Sequence, residues 1–318
     1  MVAADVPAAL REYRSSQTPP GDFDEFWADT LAEARSAAGS VTRRPVETGL
    51  VGVTVSELVY PGFGGHPIRA WLRMPVRHEG RLPVVVHFTG YGAGRGAAID
   101  DLLFATAGYA HLVMDTRGQG DGGTVDPGFE PIAPSGFLTR GITDPRSYYY
   151  RRVFTDAVRA VDAVRGLDEV DPDRVVVAGN SQGGGIAIAA GVLAGGVRAV
   201  LAQAPFLADL PRATSATPTY PYREIADLLA RARGLESAVR STLAYFDVVN
   251  LATRAQAPAW FSAGLMDDIT PPETVFAVHN AWAAEHHIVT WPFNGHDAGG
   301  SHDLEGALGV LAATVGRP

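Results

Sequence analysis

Arg174-Val175-Val176-Val177-Ala178-Gly179-Asn180-Ser181-Gln182-Gly183-Gly184-Gly185-Ile186-Ala187-Ile188-Ala189-Ala190 reads as an apolar strand that turns sharply into a helix of small residues. The turn is G-x-S-x-G, the pattern of a strained elbow that thrusts one serine clear of the backbone around it. Gly179 and Gly183 suit it because a side chain two positions from the serine collides with the neighbouring strand or helix. With 36 glycines in 318 residues, five letters of this kind arise by chance, and a glycine-rich strand-to-helix turn is also a common structural feature. The strand before the turn and the helix after it favour a catalytic role for Ser181.

Outward from this turn, short apolar runs recur at 82–88, 110–114, 175–178, 199–202, 259–263 and 288–291, each suited to a strand buried on both faces. Helical patterns lie between them. The clearest, 150–164, has Val153, Ala157, Ala160 and Val164 on one face, with Arg151, Arg152, Asp156 and Arg159 elsewhere. Alternation at 51–59 and at 68–74, joined by a Gly/Pro turn, predicts an antiparallel hairpin. The expectation is a single doubly wound α/β domain over 1–318 with a mostly parallel sheet. The first 45 residues read as a helical extension in which Asp22 caps a helix whose Phe23, Phe26, Trp27, Leu31 and Ala34 clamp it onto the main body. Residues 206–257 exceed a simple crossover, so they read as an inserted lid with helices at 225–233 and 236–251. The strand ends it would cover are where ligands bind in such sheets.

Composition removes several classes of function. A net charge of −9 and a pI near 5.4 offer no general basic surface for nucleic-acid phosphates. The absence of cysteine excludes disulfides, thiolate chemistry and cysteine-held metals. No apolar run approaches a membrane span, and residues 1–17 carry charges where a secretory signal needs a continuous apolar core. A cytoplasmic protein without metal or cofactor is expected.

Serine at neutral pH needs an imidazole to take its proton and a carboxylate to hold that imidazole. In chain order these follow the serine on loops after later strands. Strand 259–263 runs into Gly264-Leu265-Met266-Asp267-Asp268, and strand 288–291 into Pro292-Phe293-Asn294-Gly295-His296-Asp297. Both loops fall where that order requires. Asp268 precedes Thr270, Pro271 and Glu273, which resemble an N-cap, first-turn proline and capping-box acid, so it can serve that turn. Asp267, first off the strand, is favoured as the acid. His279, His286 and His287 read as surface residues in or beside a polar helix, His66, His78 and His111 as turn or strand-edge residues, and His302 as a surface-loop residue. His296 alone sits on a post-strand loop in the right order. The developing oxyanion needs N–H donors. One is the backbone N–H of Gln182. The other is that of Tyr91, in the loop Thr89-Gly90-Tyr91-Gly92-Ala93-Gly94-Arg95-Gly96, which lacks the Lys-Ser/Thr pair of a phosphate loop.

With these residues in view, the chain resembles carbohydrate esterase family 7, the acetyl xylan esterases and cephalosporin C deacetylases. The resemblance runs over essentially the whole length. It is carried by Asp22-Phe23-Asp24-Glu25-Phe26-Trp27, Thr89-Gly90-Tyr91-Gly92, Asp115-Thr116-Arg117-Gly118-Gln119-Gly120, Arg140-Gly141-Ile142 and Tyr148 through Ala157. The serine turn, Gly264 through Ile269 and Asn294-Gly295-His296 complete it. The Arg-Gly-Gln and Tyr-Tyr-Tyr-Arg-Arg segments are the family-specific parts. The resemblance implies an α/β-hydrolase fold, Ser181 as nucleophile, Asp267 as acid, His296 as base, Tyr91 and Gln182 as oxyanion donors, and no metal. It also implies small acetylated sugars or alcohols as substrates and a ring-like homohexamer with internal active sites. Two positions depart from the pattern: Asp297 replaces the usual Glu, and Ile269-Thr270-Pro271 lacks a common Cys. Arg117 and Gln119 lie after a strand, where structural support of the site loops outweighs direct catalysis. A broader short-chain carboxylesterase, a peptidase-type hydrolase, and an acyltransferase or perhydrolase are the alternative activities. A non-enzymatic binding protein is disfavoured because all three triad residue types are present.

Overall fold

The computed structural model describes residues 6–37, 39–129 and 135–317. Among them, nine strands form one sheet: β1 (Thr42–Val46), β2 (Val53–Pro61), β3 (Pro67–Pro75), β4 (Leu82–Phe88), β5 (Ala110–Met114), β6 (Val170–Asn180), β7 (Ala199–Gln203), β8 (Ala259–Gly264) and β9 (His286–Trp291). Their spatial order is β1-β2-β3-β5-β4-β6-β7-β8-β9. The first three pair antiparallel and the remaining six run parallel. The chain steps back from β4 to β5 and then crosses to β6, so the loops leaving β4 and β6 diverge to opposite sides. A crevice opens at such a reversal, at the carboxyl ends of the strands. Phe88 at the end of β4 is level with Gly179 at the end of β6, which sets the glycine-rich loop beside the serine turn.

The helices are α1 (Ala8–Glu12), α2 (Phe23–Ser36), α3 (Leu103–Thr106), α4 (Tyr149–Arg165), α5 (Gln182–Leu193), α6 (Leu210–Ala216), α7 (Arg223–Arg231), α8 (Glu236–Leu243), α9 (Val248–Ala252), α10 (Pro272–Ala281) and α11 (Ser301–Thr314). They cover both faces of the sheet, as a doubly wound layout requires. One apolar cluster joins residues of α2, α4, α5 and α10 to Val84, Val86 and Val177; another joins Phe104 and Leu311 to Val85 and Val176. Among the described residues, no helix is long and apolar enough to cross a membrane.

The aromatic stripe of α2 packs as expected. Phe26 lies 4.6 Å from the Tyr245 ring and Trp27 lies 5.5 Å from Phe246, while the Trp27 indole donates to the Tyr245 carbonyl at 3.1 Å. Asp22, however, does not cap the helix with its side chain; its carboxylate accepts the Tyr245 hydroxyl instead. The helical extension also ends before residue 45, because 42–46 forms β1, a charged edge strand with Pro45 and no apolar alternation. Residues 1–5 of that extension lie outside the described residues.

Two helical expectations need correction. Helix α4 is buried nearly all round, including Arg151 and Asp156, which the periodicity placed outward. The reason is that α4 is wedged between the sheet and α2, where Arg151 bonds Thr30 and Glu33 and Asp156 bonds Arg117. The single helix expected at 236–251 is broken. Asp247 adopts an extended conformation, and its carboxylate accepts the Val249 N–H at 3.0 Å, capping α9.

Candidate active site

Ser181 sits between β6 and α5 with φ 57° and ψ −121°, a backbone conformation that L-residues adopt only when their surroundings enforce it, at a cost of about 1–3 kcal/mol. Its N–H donates to the Gln203 carbonyl and its own carbonyl accepts from Phe206, both at 2.9 Å. The flanking glycines are sterically obligatory. A Cβ at Gly179 would overlap the Gly183 backbone, and one at Gly183 would overlap the Phe88 carbonyl. The elbow is thus pressed against β4, and Ser181, only 9% exposed, faces a cavity of about 720 Å³.

The loops after β8 and β9 meet at that serine. His296 Nε2 lies 2.9 Å from Ser181 Oγ, and His296 Nδ1 lies 2.9 Å from Asp267 Oδ2. Asp267 is buried. Burial alone would raise its pKa, but hydrogen bonds from His296 and Thr270 hold the carboxyl below its ordinary range. Thr270 is not the N-cap of α10; Pro271 occupies that position. The Thr270 hydroxyl donates to Asp267 Oδ2 at 2.6 Å, and the N–H groups of Ile269 and Thr270 donate to Oδ1. Glu273 pairs with Arg212 rather than closing a capping box. Asp268 is exposed, and its carbonyl accepts from Thr217.

The other histidines divide differently from expectation. His111 is fully buried in the central strand β5, 3.3 Å from His87. His279 is half-buried among Phe261, Phe276 and His286, so burial lowers its pKa. His286 and His287 begin β9, and His302 lies on α11, stacked on Trp291. Neighbouring rings hold His279 and His286 half-buried, whereas His287 and His302 are exposed, as their surface reading expected.

The glycine-rich loop is fastened by two amides. Gln119 Oε1 accepts the Gly92 N–H at 2.7 Å, and Gln182 Nε2 donates to the Gly90 carbonyl at 3.2 Å. The two side chains bond each other in both directions, at 2.9 and 3.1 Å. Gln182 Oε1 also accepts the Tyr150 hydroxyl, and Gln119 Nε2 donates to Tyr149, which in turn donates to the Arg117 carbonyl. Gln182 opens α5, so its own N–H is among those left without an intrahelical acceptor. Arg117 is fully buried and grips Asp156 with two bonds of 2.6 and 2.7 Å. Arg117 and Gln119 thus stand behind the loop that carries Tyr91, and Gly90 and Tyr91 line the cavity with Ser181.

Sequence reasoning missed Glu224. It is 9% exposed, lies on α7 of the inserted segment and lines the same cavity as Tyr220, Pro221 and Ile269. Its carboxylate accepts from the Tyr91 hydroxyl at 2.7 Å. No local signal marks it, because one glutamate in a polar helix is the ordinary composition of an exposed face. A second cavity of about 130 Å³ lies between the sheet and α11, lined by Trp260, Trp291 and mostly apolar neighbours. No group of three or more metal-ligating side chains occurs among the described residues.

The family model described as acetyl xylan esterase (AXE1) matches residues 1–310. The chain is similar to acetyl esterase Axe7A of Xylanibacter ruminicola, with 29% identity over 299 residues, and the match covers 91% of this chain and 66% of that relative. It therefore spans just under two thirds of the length of Axe7A. A solved acetyl xylan esterase from Paenibacillus sp. R4 superposes with a TM-score of 0.91 at 34% identity, covering 97% of this chain and all of the other. Acetyl xylan esterase 1 from Thermoanaerobacterium sp. JW/SL YS485 gives a TM-score of 0.88 at 33% identity, over 97% and 99% of the two chains.

Proposed function

The chain belongs to the acetyl xylan esterase family, and from that premise we propose that it hydrolyses acetyl esters of carbohydrates and related small alcohols through an acyl-serine. One observation carries the assignment of residues: the continuous hydrogen-bonded chain Ser181–His296–Asp267, with 2.9 Å at each link, ending in a serine at positive φ that faces a cavity. His296 Nε2 takes the Ser181 proton as Oγ attacks the ester carbonyl. Asp267 holds the Nδ1–H tautomer and stabilises the imidazolium that forms. The N–H groups of Tyr91 and Gln182 receive the oxyanion. His296 then returns the proton to the departing alcohol, and water activated by the same imidazole releases the carboxylic acid.

The wider reading is of one α/β-hydrolase domain in which 206–257 serves as a lid. It is supported by an apolar cluster that joins α2, the parallel strands and the inserted helices, and by Tyr220, Pro221 and Glu224 at the cavity. A homohexamer with a cytoplasmic location belongs to the same proposal. Met266 and Phe293, 65% and 86% exposed on the loops that carry Asp267 and His296, are among the exposed apolar side chains that an assembly could cover. Light scattering on the purified protein tests the hexamer, and cell fractionation tests the location.

The central test is release of nitrophenol from its acetate ester by the intact protein and by Ser181→Ala. The variant should lose turnover, and activity equal to wild type would remove Ser181 from the mechanism. Acetate should be preferred to butyrate and octanoate, and acetylated xylo-oligosaccharides, glucose pentaacetate and cephalosporin C then compare the alcohols. Preference for octanoate would instead indicate a lipase-like esterase.

A further inference from the structure

The loop that carries Tyr91 contains four glycines between residues 90 and 96, so its own backbone has little power to hold one N–H in a fixed direction. Gln119 and Gln182 fasten the peptides on either side, at Gly92 and Gly90. The Gly90 carbonyl shares a planar peptide with the Tyr91 N–H, so these bonds set the tilt of that peptide, and what is left to the Tyr91 side chain is where its Cα and amide nitrogen sit in the cavity wall. That ring is wedged edge-on against Phe137 and Phe206, with centroids 5.3 and 6.0 Å away. Its hydroxyl donates to Glu224 Oε1 at 2.7 Å and accepts the Phe137 N–H at 2.8 Å. Glu224 also receives the N–H groups of Gly136 at 2.8 Å and Leu138 at 3.2 Å. One buried carboxylate of the inserted segment therefore gathers the Tyr91 hydroxyl and the backbone on both sides of Phe137. The tetrahedral Cα ties the Tyr91 nitrogen to its Cβ, so pinning the ring and phenol fixes the place of an amide whose tilt the Gly90–Tyr91 peptide plane sets.

We propose that Glu224 is a positioning residue for ester hydrolysis, holding Tyr91 and its N–H at the distance from Ser181 that the oxyanion requires and so coupling the place of α7 to the chemical step. The inference rests on the reading of Tyr91 N–H as an oxyanion donor. Charge-assisted hydrogen bonds of this kind are about twice as strong as neutral ones. A glutamine in place of Glu224 keeps a carbonyl acceptor for one partner and turns an amide donor toward the others. Tyr91→Phe removes the link from the other side and leaves the ring in its slot.

The experiment measures kcat and KM on nitrophenyl acetate for Glu224→Gln, Tyr91→Phe and the double variant, with thermal melts alongside. Deleting one oxyanion donor costs roughly 10²–10³ in kcat, so displacing one should cost roughly 10- to 100-fold. Each single variant should lose that much kcat with KM within about threefold of wild type, and the double variant should fall no further than the worse single, because both changes cut one connection. A kcat within about twofold of wild type in either variant, effects that multiply in the double, or a loss confined to KM would overturn the proposal. If Glu224→Gln does not fold, Tyr91→Phe decides alone by the same kcat criterion. Labelling with an organophosphonate separates this inference from the assignment of the nucleophile. Wild type that resists labelling at Ser181 refutes the nucleophile, whereas wild type that labels fast while the variants label at the same rate refutes only the role of Glu224.

Discussion

Replacing Arg117 with methionine should destabilise the protein severely while sparing the chemistry of whatever remains folded. Arg117 and Asp156 are 0% and 1% exposed, joined by two charge-assisted bonds of 2.6 and 2.7 Å. Burial raises the pKa of the Asp156 carboxyl, and Arg117 is the chief opposing influence. Methionine leaves that buried carboxylate with the Phe63 N–H as a remaining donor, while Asp126, which Arg117 also meets at 3.4 Å, keeps Arg140 and Arg152. Removing one partner of a buried pair costs about 3–5 kcal/mol. At roughly 2 °C per kcal/mol for a chain of this size, the melting temperature should fall by about 6–10 °C.

The deficit should depend on pH, and its sign follows from Asp156. Without Arg117, the folded pKa of Asp156 rises further above its unfolded value, so the folded state favours the neutral acid. The penalty is then fully present above that raised pKa and shrinks as pH falls through it toward the unfolded value. Urea denaturation of wild type and Arg117→Met between pH 5 and pH 8 measures this, with esterase activity followed on the same samples at low urea. The double variant Arg117→Met with Asp156→Leu should recover much of the loss, since an apolar pair of similar volume often replaces a buried ion pair without penalty. An Arg117→Met protein with wild-type denaturation midpoint and no activity would refute the reasoning, because it would put the guanidinium at the substrate instead of behind the loop.

Two further outcomes follow from the carboxylates. Asp267→Asn should lower kcat on the order of 10⁴-fold by favouring the wrong imidazole tautomer, with folding retained, since the amide oxygen still accepts from the 269–270 backbone; a loss under tenfold in steady-state assays would point to another acid. Asp247 receives three N–H groups, from Asp209, Leu210 and Val249, yet complete burial pushes its pKa up to about 7 from 3.8. An acid with a raised folded pKa binds more protons folded than unfolded, so its stabilising effect is fullest below about pH 4 and is lost as pH rises toward 7. Three pKa units correspond to about 4 kcal/mol. The stability difference between wild type and Asp247→Asn, measured by denaturation from pH 4 to pH 8, should therefore drift by an amount of that order, and a flat difference would contradict the raised pKa.

What was legible in the chain divides by the range over which each residue is determined. The serine turn is readable because Gly179 and Gly183 answer a steric demand within five residues, against the end of β4. The inner parallel strands β4 to β8 are readable because burial writes them as continuous apolar runs, whereas β9 is the partly exposed edge and shows only the short run at 288–291. Asp267 and His296 are readable because chain order and strand ends confine them to two short loops, and the structure joins them at 2.9 Å. Glu224, Asp156 and Arg151 escaped because their burial is decided by partners at Tyr91, Arg117 and Thr30, each at least 39 positions away. Strand β1 escaped because an edge strand facing solvent has no apolar pattern to show. Thr270 was misread for a related reason: a hydroxyl just before a proline-led helix suits an N-cap, but Pro271 and Pro272 have no N–H for it to accept, and the hydroxyl instead donates to Asp267 at 2.6 Å. The proposed nucleophile, acid and base are thus written locally, whereas the groups packed around them are chosen by the fold. The proposed role of Glu224 would let two chains with the same three-residue pattern differ in rate at a position that no short motif marks.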